Sequence, residues 1–393
     1  MKVLHVVPSY YPATYWGGPI FSVYALNNAL ACLPGVELTV LTTDSAGPRP
    51  SQRVNPEGVA GLYPNQEVAM TRRLAGSSIS FQLLWKLPGL LRRADIVHLT
   101  ATYSFPTLPT MLLCRLFDKP LVWSPRGAIQ DAHEWEGVRR RRLKRWWERV
   151  CNALLWKRGA VAHTTSERER VATQLRIPHA RAVIIPNGVH VPETVPVREW
   201  LPQGRLRLMY LGRIAPKKGL ENLLEAVALL DREDLGLTIY GTGEPEYVAE
   251  LNALAERQNF ADGRVRFAGH VDGAAKEAAF AEADLCVVPS HTENFCMVAA
   301  EALAHGIPVI ASRGTPWEAV EAKECGLWVD NSPQELARAI ERAGQMDLAA
   351  MGARGRAWMQ REFSWDAVAA DMMSVYRSIL AGKLPNEDGL GTQ

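Results

Sequence analysis

Short apolar runs alternate along the chain with stretches that have the apolar spacing of a helix, and this alternation most limits the fold. The first unit has a strand over residues 2–8, a Gly- and Pro-rich loop, a helix over 20–33 and a strand over 36–42. Such a unit is typical of a parallel sheet with helical crossovers. Further strands are predicted at 95–99, 120–124, 159–164 and 182–185. Residues 45–75 follow the pattern least, and we expect irregular chain there.

A cluster of Pro and Gly between residues 186 and 204 interrupts this series and predicts a connection between two domains. A second series follows, with strands predicted at 206–211, 237–240, 265–268, 285–288, 308–311 and 327–329. We therefore predict an α/β fold with two Rossmann-like, doubly wound domains that face each other across a cleft. The predicted boundaries are 1–190, a linker at 191–204, 205–365, and a crossover helix and tail at 366–393 that packs back on the first domain.

The overall composition excludes several classes of protein. A formal net charge of +2 on 393 residues gives no global attraction to nucleic acid, so no nucleic-acid partner is expected. The six cysteines form no C-x2-C pair, and we expect no metal site and no cofactor. No run approaches the roughly 18 to 20 apolar residues of a membrane span. The simplest expectation is a cytoplasmic protein.

Two glutamates eight residues apart, Glu293 and Glu301, follow the strand predicted at 285–288. We expect a helix to start near Asn294, with Glu293 at its mouth and Glu301 two turns further in. The N–H groups and the positive dipole end of such a helix attract anions. One glutamate could then contact a sugar and the other a ribose. By spacing alone, two surface acids on a helix are an equally good interpretation.

A basic turn follows the first strand of the second series, in Gly212-Arg-Ile-Ala-Pro-Lys-Lys-Gly219. It puts Arg213 and Lys218 at the carboxyl end of a strand, where they could bind a phosphate, although a solvated basic turn has the same pattern. The loop glycines Gly17 and Gly18, and Gly243 in a later turn, would allow close backbone approach to a ligand, or simply make tight turns.

Taken together, these motifs resemble the retaining group 1 glycosyltransferases of GT-B architecture, over about residues 1–378. The resemblance also draws on Phe267-x-Gly269-x-Val271 and Gly314-Thr-Pro-Trp317. It implies retaining transfer of a hexose from a nucleotide-diphosphate sugar, with a UDP-sugar favoured, to a glycan or lipid-linked saccharide acceptor in cell-surface polysaccharide assembly. The transfer would need no metal. The alternatives are a GT-B-like sugar-nucleotide epimerase or phosphorylase, and an inactive sugar-binding subunit.

The resemblance also implies residue roles. Arg213 and Lys218 would bind the donor diphosphate, Glu301 the ribose and Glu293 the transferred sugar. The backbone near Val271 would contact the base, and Gly17 and Gly18 would lie near the phosphates. The remaining donor contacts would come from Asn294 and from the backbone N–H groups of Phe295 and Cys296.

The chain departs from the family pattern at two places. Cys296 stands where the family usually has Gly, and we expect its φ to stay negative, because a side chain is poorly tolerated at positive φ. Arg126 stands about where many members have a His that faces the reacting carbon. An Arg cannot act as a base, so it would steady the leaving phosphate or contact the acceptor. His98 and His133 are the candidate acceptor contacts, with a packed structural role the stronger alternative for His98.

The segment 138–156 combines many Lys and Arg residues with three tryptophans and should be a helix. Basic helices with Trp bind anionic membrane surfaces, which would place the protein peripherally on the inner face of a membrane. Nucleic-acid binding and a core-packed helix with a solvated basic face remain open as alternatives.

Overall fold

The computed structural model describes residues 1–55, 59, 61–76, 78–129, 138–155, 160–230, 232–258, 260 and 263–383. The chain divides into two compact units. The first unit comprises Met1–Gly188 and Trp365–Gln393, and the second comprises Val189–Ser364.

A seven-stranded parallel sheet forms the centre of the first unit. Its strands are β1 (Lys2–Ser9), β2 (Glu37–Thr43), β3 (Gln66–Thr71), β4 (Ile96–Thr100), β5 (Leu121–Ser124), β6 (Ala160–Thr164) and β7 (Arg181–Ile184), in the order β3-β2-β1-β4-β5-β6-β7. The direction of winding reverses between β1 and β4, where His5 lies opposite His98. Such a reversal opens a crevice at the carboxyl ends of the strands, where α/β sheets bind ligands.

Helices cover both faces of this sheet: α1 (Gly18–Cys32), α2 (Phe81–Arg93), α3 (Thr107–Leu116), α4 (Val138–Leu155) and α5 (Glu167–Arg176). The helix predicted over the basic segment is therefore present as α4.

The predicted irregular stretch 45–75 contains β3, so that expectation is wrong for Gln66–Thr71. The strand is polar in composition, but it pairs in full register with β2 and alternates buried and more exposed positions. Arg73, just after the strand, is buried and orders the loop that precedes the strand. Its guanidinium donates hydrogen bonds to the carbonyl oxygens of Gly47, Arg49 and Gln52.

A six-stranded parallel sheet forms the second unit. Its strands are β8 (Leu206–Leu211), β9 (Leu235–Tyr240), β10 (Val265–Gly269), β11 (Leu285–Val288), β12 (Val309–Ser312) and β13 (Gly326–Val329), in the order β10-β9-β8-β11-β12-β13. Here the winding reverses between β8 and β11. Both units thus have the doubly wound Rossmann-like arrangement that the sequence predicts.

The helices of the second unit are α6 (Leu220–Leu230), α7 (Pro245–Arg257), α8 (Gly273–Glu282), α9 (Met297–Ala304), α10 (Ala319–Ala322), α11 (Pro333–Gly344) and α12 (Leu348–Trp358). A π-helical turn, Met359–Phe363, ends the unit. Residues at the predicted linker pack on this unit: the Arg198 guanidinium donates to the Phe280 carbonyl at 2.9 Å and lies over the Trp200 ring.

The last helix, α13 (Trp365–Leu380), returns to the first unit and packs against α1, as predicted. Its buried residues, which include Met372 and Tyr376, share one core with Leu26 and Leu30 of α1. Where the chain leaves the first unit, Gly188 lies against the indole of Trp365. A Cβ on Gly188 would come within 2.4 Å of that ring.

We predict that Gly188→Ala lowers the stability of the protein by about 1–3 kcal/mol, because the added methyl overpacks the contact with Trp365. The matched control is Gly89→Ala on α2, where an added Cβ meets no atom within 4 Å. Helix propensity predicts that this control stabilises by roughly 0.5–1 kcal/mol. Urea unfolding followed by circular dichroism measures both changes. Wild-type stability of Gly188→Ala would contradict the packing argument.

Candidate functional site

The loops that follow β8 and β11 flank the reversal point of the second sheet, and they carry most of the residues predicted to bind a donor. The β8 loop ends in a short 3-10 turn, Pro216–Lys218, and in Gly219, whose φ is +63°. A Cβ on Gly219 would lie 2.2 Å from the carbonyl oxygen of Pro289 in the β11 loop. The absence of a side chain therefore lets the two loops touch. The His291 N–H also donates to the Lys217 carbonyl at 2.8 Å.

This contact brings together two residues that the sequence assigned to separate motifs. Lys218 Nζ forms a direct ion pair with Glu293 Oε1, and both side chains are largely buried. Ser290 Oγ donates to the same carboxylate oxygen at 2.9 Å. A partly buried ion pair is weakly screened by solvent and salt, so Lys218 and Glu293 attract each other more strongly than an exposed pair would.

Ser290 is a site residue to which the sequence assigned no role. It is fully buried, and its carbonyl oxygen accepts a hydrogen bond from Ser312 Oγ at the end of β12. Ser290 is the second residue after β11, beside the reversal point, and this position could have marked it as a site residue in the sequence.

Glu301 lies on α9, which begins at Met297 rather than near Asn294. Glu301 is therefore about one turn inside the helix, not two. Its Oε1 pairs with Lys276 Nζ of α8 at 2.7 Å, and both side chains are half-buried. Lys276 was missed, because no motif or spacing links it to Glu301. A ligand hydroxyl at Glu301 would share the carboxylate with this lysine.

Cys296 immediately precedes α9 with φ +66° and ψ 73°, so the expectation of a negative φ is wrong. The left-handed conformation costs a non-glycine residue roughly 1–2 kcal/mol. Burial raises the pKa of the Cys296 thiol, and nearby Glu293 raises it further. The thiol therefore stays protonated and unreactive at neutral pH.

The neighbouring backbone is held by an aromatic cluster. Trp317 Nε1 donates to the Phe295 carbonyl at 2.6 Å, and the two rings meet edge to face at 5.4 Å. Trp358 and Phe363 complete the cluster. These contacts fix the turn from Asn294 into α9, where the first N–H groups of the helix lack intrahelical acceptors.

The remaining predicted donor contacts in the second unit differ in character. Arg213 is exposed, while its carbonyl accepts a hydrogen bond from Tyr210 Oη at 2.8 Å. Val271, in the loop after β10, is half-buried against the core. Local packing requires a glycine at position 243. Gly243 pairs with Ile214, and a Cβ on it would lie 2.1 Å from the Ile214 carbonyl oxygen.

In the first unit, Gly17 and Gly18 stand at the start of α1, after the β1 loop. Gly17 has φ +69° and precedes the helix, and Gly18 is its first residue. A Cβ on either would meet no atom within 4 Å. The positive φ explains a glycine at position 17, whereas packing does not explain the one at 18.

Arg126 follows β5 in the left-handed conformation, with φ +53°. Its Nη1 donates to Asn187 Oδ1, and its buried Nε has no hydrogen-bond partner among the described residues. Burial lowers the pKa of the guanidinium to about 10, and the buried carboxylate of Glu169 opposes that shift. Arg126 therefore remains charged at neutral pH and cannot be a base.

His98 is completely buried, which contradicts its predicted acceptor contact and agrees with the structural alternative. Its Nδ1 is 2.6 Å from Tyr376 Oη and its Nε2 is 2.8 Å from Ser124 Oγ. Burial lowers the pKa of His98 well below its ordinary value, and its neighbours His5 and His163 lower it further, so the ring is neutral. His133 lies outside the described residues.

We predict that Cys296→Gly is more stable than Cys296→Ala by about 1 kcal/mol. Both variants lose the thiol, but only glycine adopts the left-handed conformation without a steric penalty. The difference in the midpoint of urea unfolding between these two variants measures the effect. An Ala variant as stable as the Gly variant would contradict the strain.

No helix in the described part of the chain is long and apolar enough to cross a bilayer. No group of three or more His, Cys, Asp or Glu residues there could hold a metal ion.

Comparison with solved structures identifies the fold. Sucrose-phosphate synthase from Thermosynechococcus elongatus superimposes with a TM-score of 0.70 at 22% identity, over 97% of this chain and all of that one. HepE from Anabaena superimposes with a TM-score of 0.73 at 17% identity, over 96% of this chain and all of its own. Both units therefore share their architecture with glycosyltransferases of GT-B fold.

Sequence comparisons agree with this fold. Glycogen synthase from Mycobacterium tuberculosis is 28% identical over 98% of this chain and 96% of its own length. Residues 16–192 match a family model described as Glycosyltransferase Family 4. Residues 205–345, which contain Arg213, Lys218, Glu293 and Glu301, match a model described as Glycosyl transferases group 1. The chain belongs to the group 1 glycosyltransferases.

Proposed function

We propose that this glycosyltransferase moves a hexose, with retention of configuration, from a UDP-sugar to a glycan or lipid-linked saccharide in cell-surface polysaccharide assembly. The observation that carries the proposal is the contact of Lys218 and Ser290 with Glu293 at the reversal point of the second sheet. It joins a cation suited to phosphate with a carboxylate suited to sugar hydroxyls in the place where such sheets bind ligands.

The diphosphate would be bound by positive groups of the protein. Lys218 is at the crevice, Arg213 is exposed on the same loop, and α9 starts immediately after Cys296. Arg contacts phosphate through two parallel donors, and a helix N-terminus adds N–H groups and a dipole. These groups stabilise charge on the leaving diphosphate, so we propose that transfer needs no divalent metal.

The two glutamates would position the donor. Glu293 would accept hydrogen bonds from hydroxyls of the transferred hexose, and its pair with Lys218 would hold that lysine toward the adjacent phosphate. Glu301 would accept from the ribose hydroxyls beside Lys276. In this arrangement neither carboxylate acts as a nucleophile. Retention would follow from attack of the acceptor on the face that the diphosphate leaves, with the leaving phosphate taking the acceptor proton.

Arg126 would contact the departing phosphate or the acceptor from the first unit. Its charge persists at neutral pH, and its Nε has no hydrogen-bond partner among the described residues, which suits an anionic ligand. The choice of a UDP-sugar is supported by the structural neighbour HepE, which was solved in complex with UDP and with UDP-glucose. A saccharide acceptor is supported by the glycogen synthase relative.

We predict that Lys218→Ala lowers the rate of transfer by roughly 10²- to 10³-fold, because the leaving phosphate loses a preorganised cation. Lys217→Ala is the matched control, because Lys217 is exposed on the same turn and contributes its carbonyl, not its side chain, to the contact with His291. We expect the control to keep near wild-type activity. Release of UDP in the presence of a saccharide acceptor is the readout, and equal rates for both variants would exclude this role of Lys218.

We predict a similar loss for Glu293→Gln, which keeps the shape of the side chain but removes its charge. Circular dichroism should show an unchanged fold. Transfer by the Gln variant at the wild-type rate would remove Glu293 from the site.

We predict that UDP and UDP-sugars raise the melting temperature more than GDP, ADP or their sugars, because a ligand that binds only the native state stabilises it. The same preparations are then assayed with and without EDTA, and the anomeric configuration of the product is read by NMR. A larger shift with GDP or ADP would overturn the choice of base. An inverted product or a strict need for a divalent cation would overturn the mechanism.

A further inference from the structure

We propose that the outer sides of α2, α3 and α4 together form a docking face for an anionic lipid bilayer. Six exposed apolar side chains define this docking face: Phe81, Trp85, Leu112, Leu116, Leu143 and Trp146. In the sequence, membrane binding is one of three interpretations, and it concerns the segment 138–156 alone. The structure adds two neighbouring helices that carry no such basic pattern, and it leaves the largest apolar side chains of α2 in solvent.

The three helices form one surface, because each packs on the next. Helix α2 contacts α3, and α3 contacts α4. The Arg115 guanidinium on α3 donates to the Ala153 carbonyl on α4, and Lys119 Nζ, beyond α3, donates to the Ala94 carbonyl at the end of α2. The Arg92 guanidinium of α2 lies 4.7 Å from the ring centre of Phe117. These contacts hold the outer sides of the helices next to each other.

The apolar residues of the docking face lie on the side of each helix away from the sheet. On α2, Leu83 and Leu87 are completely buried, and Trp85 lies between them in sequence, which puts it on the opposite side of the helix. Trp85 is 84% exposed and Phe81, one turn earlier, is 68% exposed. On α3, Cys114 is buried while Leu116 is 66% exposed. Large apolar groups grouped in solvent mark an interaction surface.

The charged residues of the three helices, apart from one glutamate, are basic. Helices α2 and α3 contain no acidic residue, and the one acid of α4, Glu148, is buried and paired with Arg176. Among the α4 residues whose side chains the structure describes, the exposed cations are Arg141, Arg142, Arg145 and Arg149. Helix α2 adds Lys86, Arg92 and Arg93, which are also exposed.

This combination of apolar and basic groups selects the partner. Trp and Leu side chains enter the boundary between headgroups and acyl chains, while Lys and Arg attract anionic headgroups. Nucleic acid would satisfy the cations but would leave the leucines of α3 and α4 in water. A second copy of the chain would place these cations opposite each other. An anionic bilayer complements both the apolar and the basic parts of the docking face.

The first test is flotation of the full-length protein with vesicles of phosphatidylglycerol and phosphatidylcholine. We expect flotation with mixed vesicles at low salt, partial loss at raised salt, and little binding to pure phosphatidylcholine. No flotation with the mixed vesicles at low salt would overturn the proposal. Retention on an oligonucleotide without flotation, or a dimer that forms through the docking face, would overturn it as well.

Matched variants separate insertion from simple charge attraction. We expect Leu116→Ser and Trp85→Ser each to reduce the floated fraction several-fold. Leu229→Ser, at a comparably exposed leucine (57%) on α6 of the second unit, should leave it unchanged. To test the contribution of charge, the double variant Arg142→Gln/Arg145→Gln is compared with the double variant Arg257→Gln/Arg338→Gln in the second unit. Equal flotation of Leu116→Ser, Trp85→Ser and Leu229→Ser would overturn the docking face. Equal flotation of the two double Arg variants would overturn it as well.

Tryptophan fluorescence gives a second readout. Brominated phosphatidylglycerol should quench part of the emission, and Trp85→Phe should lose a share of that quenching while its melting temperature stays the same. Unchanged quenching in Trp85→Phe would contradict insertion at α2. Because vesicle binding needs no donor, a failure of the proposed transferase activity with intact flotation would fault that function alone.

Discussion

The contact between the loops that follow β8 and β11 determines the arrangement of the proposed donor site. This contact is possible because Gly219 has no side chain. Gly219 lies against the Pro289 carbonyl so closely that any Cβ would force the loops after β8 and β11 apart. The approach lets Lys218 reach Glu293 and lets the His291 N–H bond to the Lys217 carbonyl. The ion pair between Lys218 and Glu293, to which the buried Ser290 also donates, depends on this contact. A sheet whose winding reverses between β8 and β11 provides the place for it.

Much of this arrangement could be predicted, because apolar periodicity and Gly-rich turns are local signals. The strands of both sheets, apart from β3, appear as runs of branched apolar residues, and strand ends locate Arg213, Lys218 and Glu293 at one edge. Strand β3 was missed because an edge strand with one exposed side needs few apolar residues. The pair of Lys276 with Glu301 was missed because it joins two helices, and nothing in either helix marks the other.

The conformation at Cys296 and the burial of His98 could not be inferred from residue types alone. A cysteine gives no sign of a left-handed φ, and here the aromatic cluster around Trp317 holds the turn that requires it. A histidine in a strand can be a ligand or a packed polar group, and the strand pattern around His98 favours the packed role without establishing it. Its partners decide between the two, and for His98 one of them, Tyr376, is 278 positions away in the chain.

That same tyrosine has a consequence for the order in which the protein can form. The second unit is one continuous segment, Val189–Ser364, inserted between the two parts of the first. The core of the first unit includes Val368, Met372 and Tyr376 of α13, which leave the ribosome only after the whole second unit. During synthesis the inserted unit can therefore become native while the earlier one still exposes the surface that α13 will cover. Contacts of such long sequence separation are slow to close, so the part of the first unit made first, Met1–Gly188, most depends on protection from aggregation until α13 has been made.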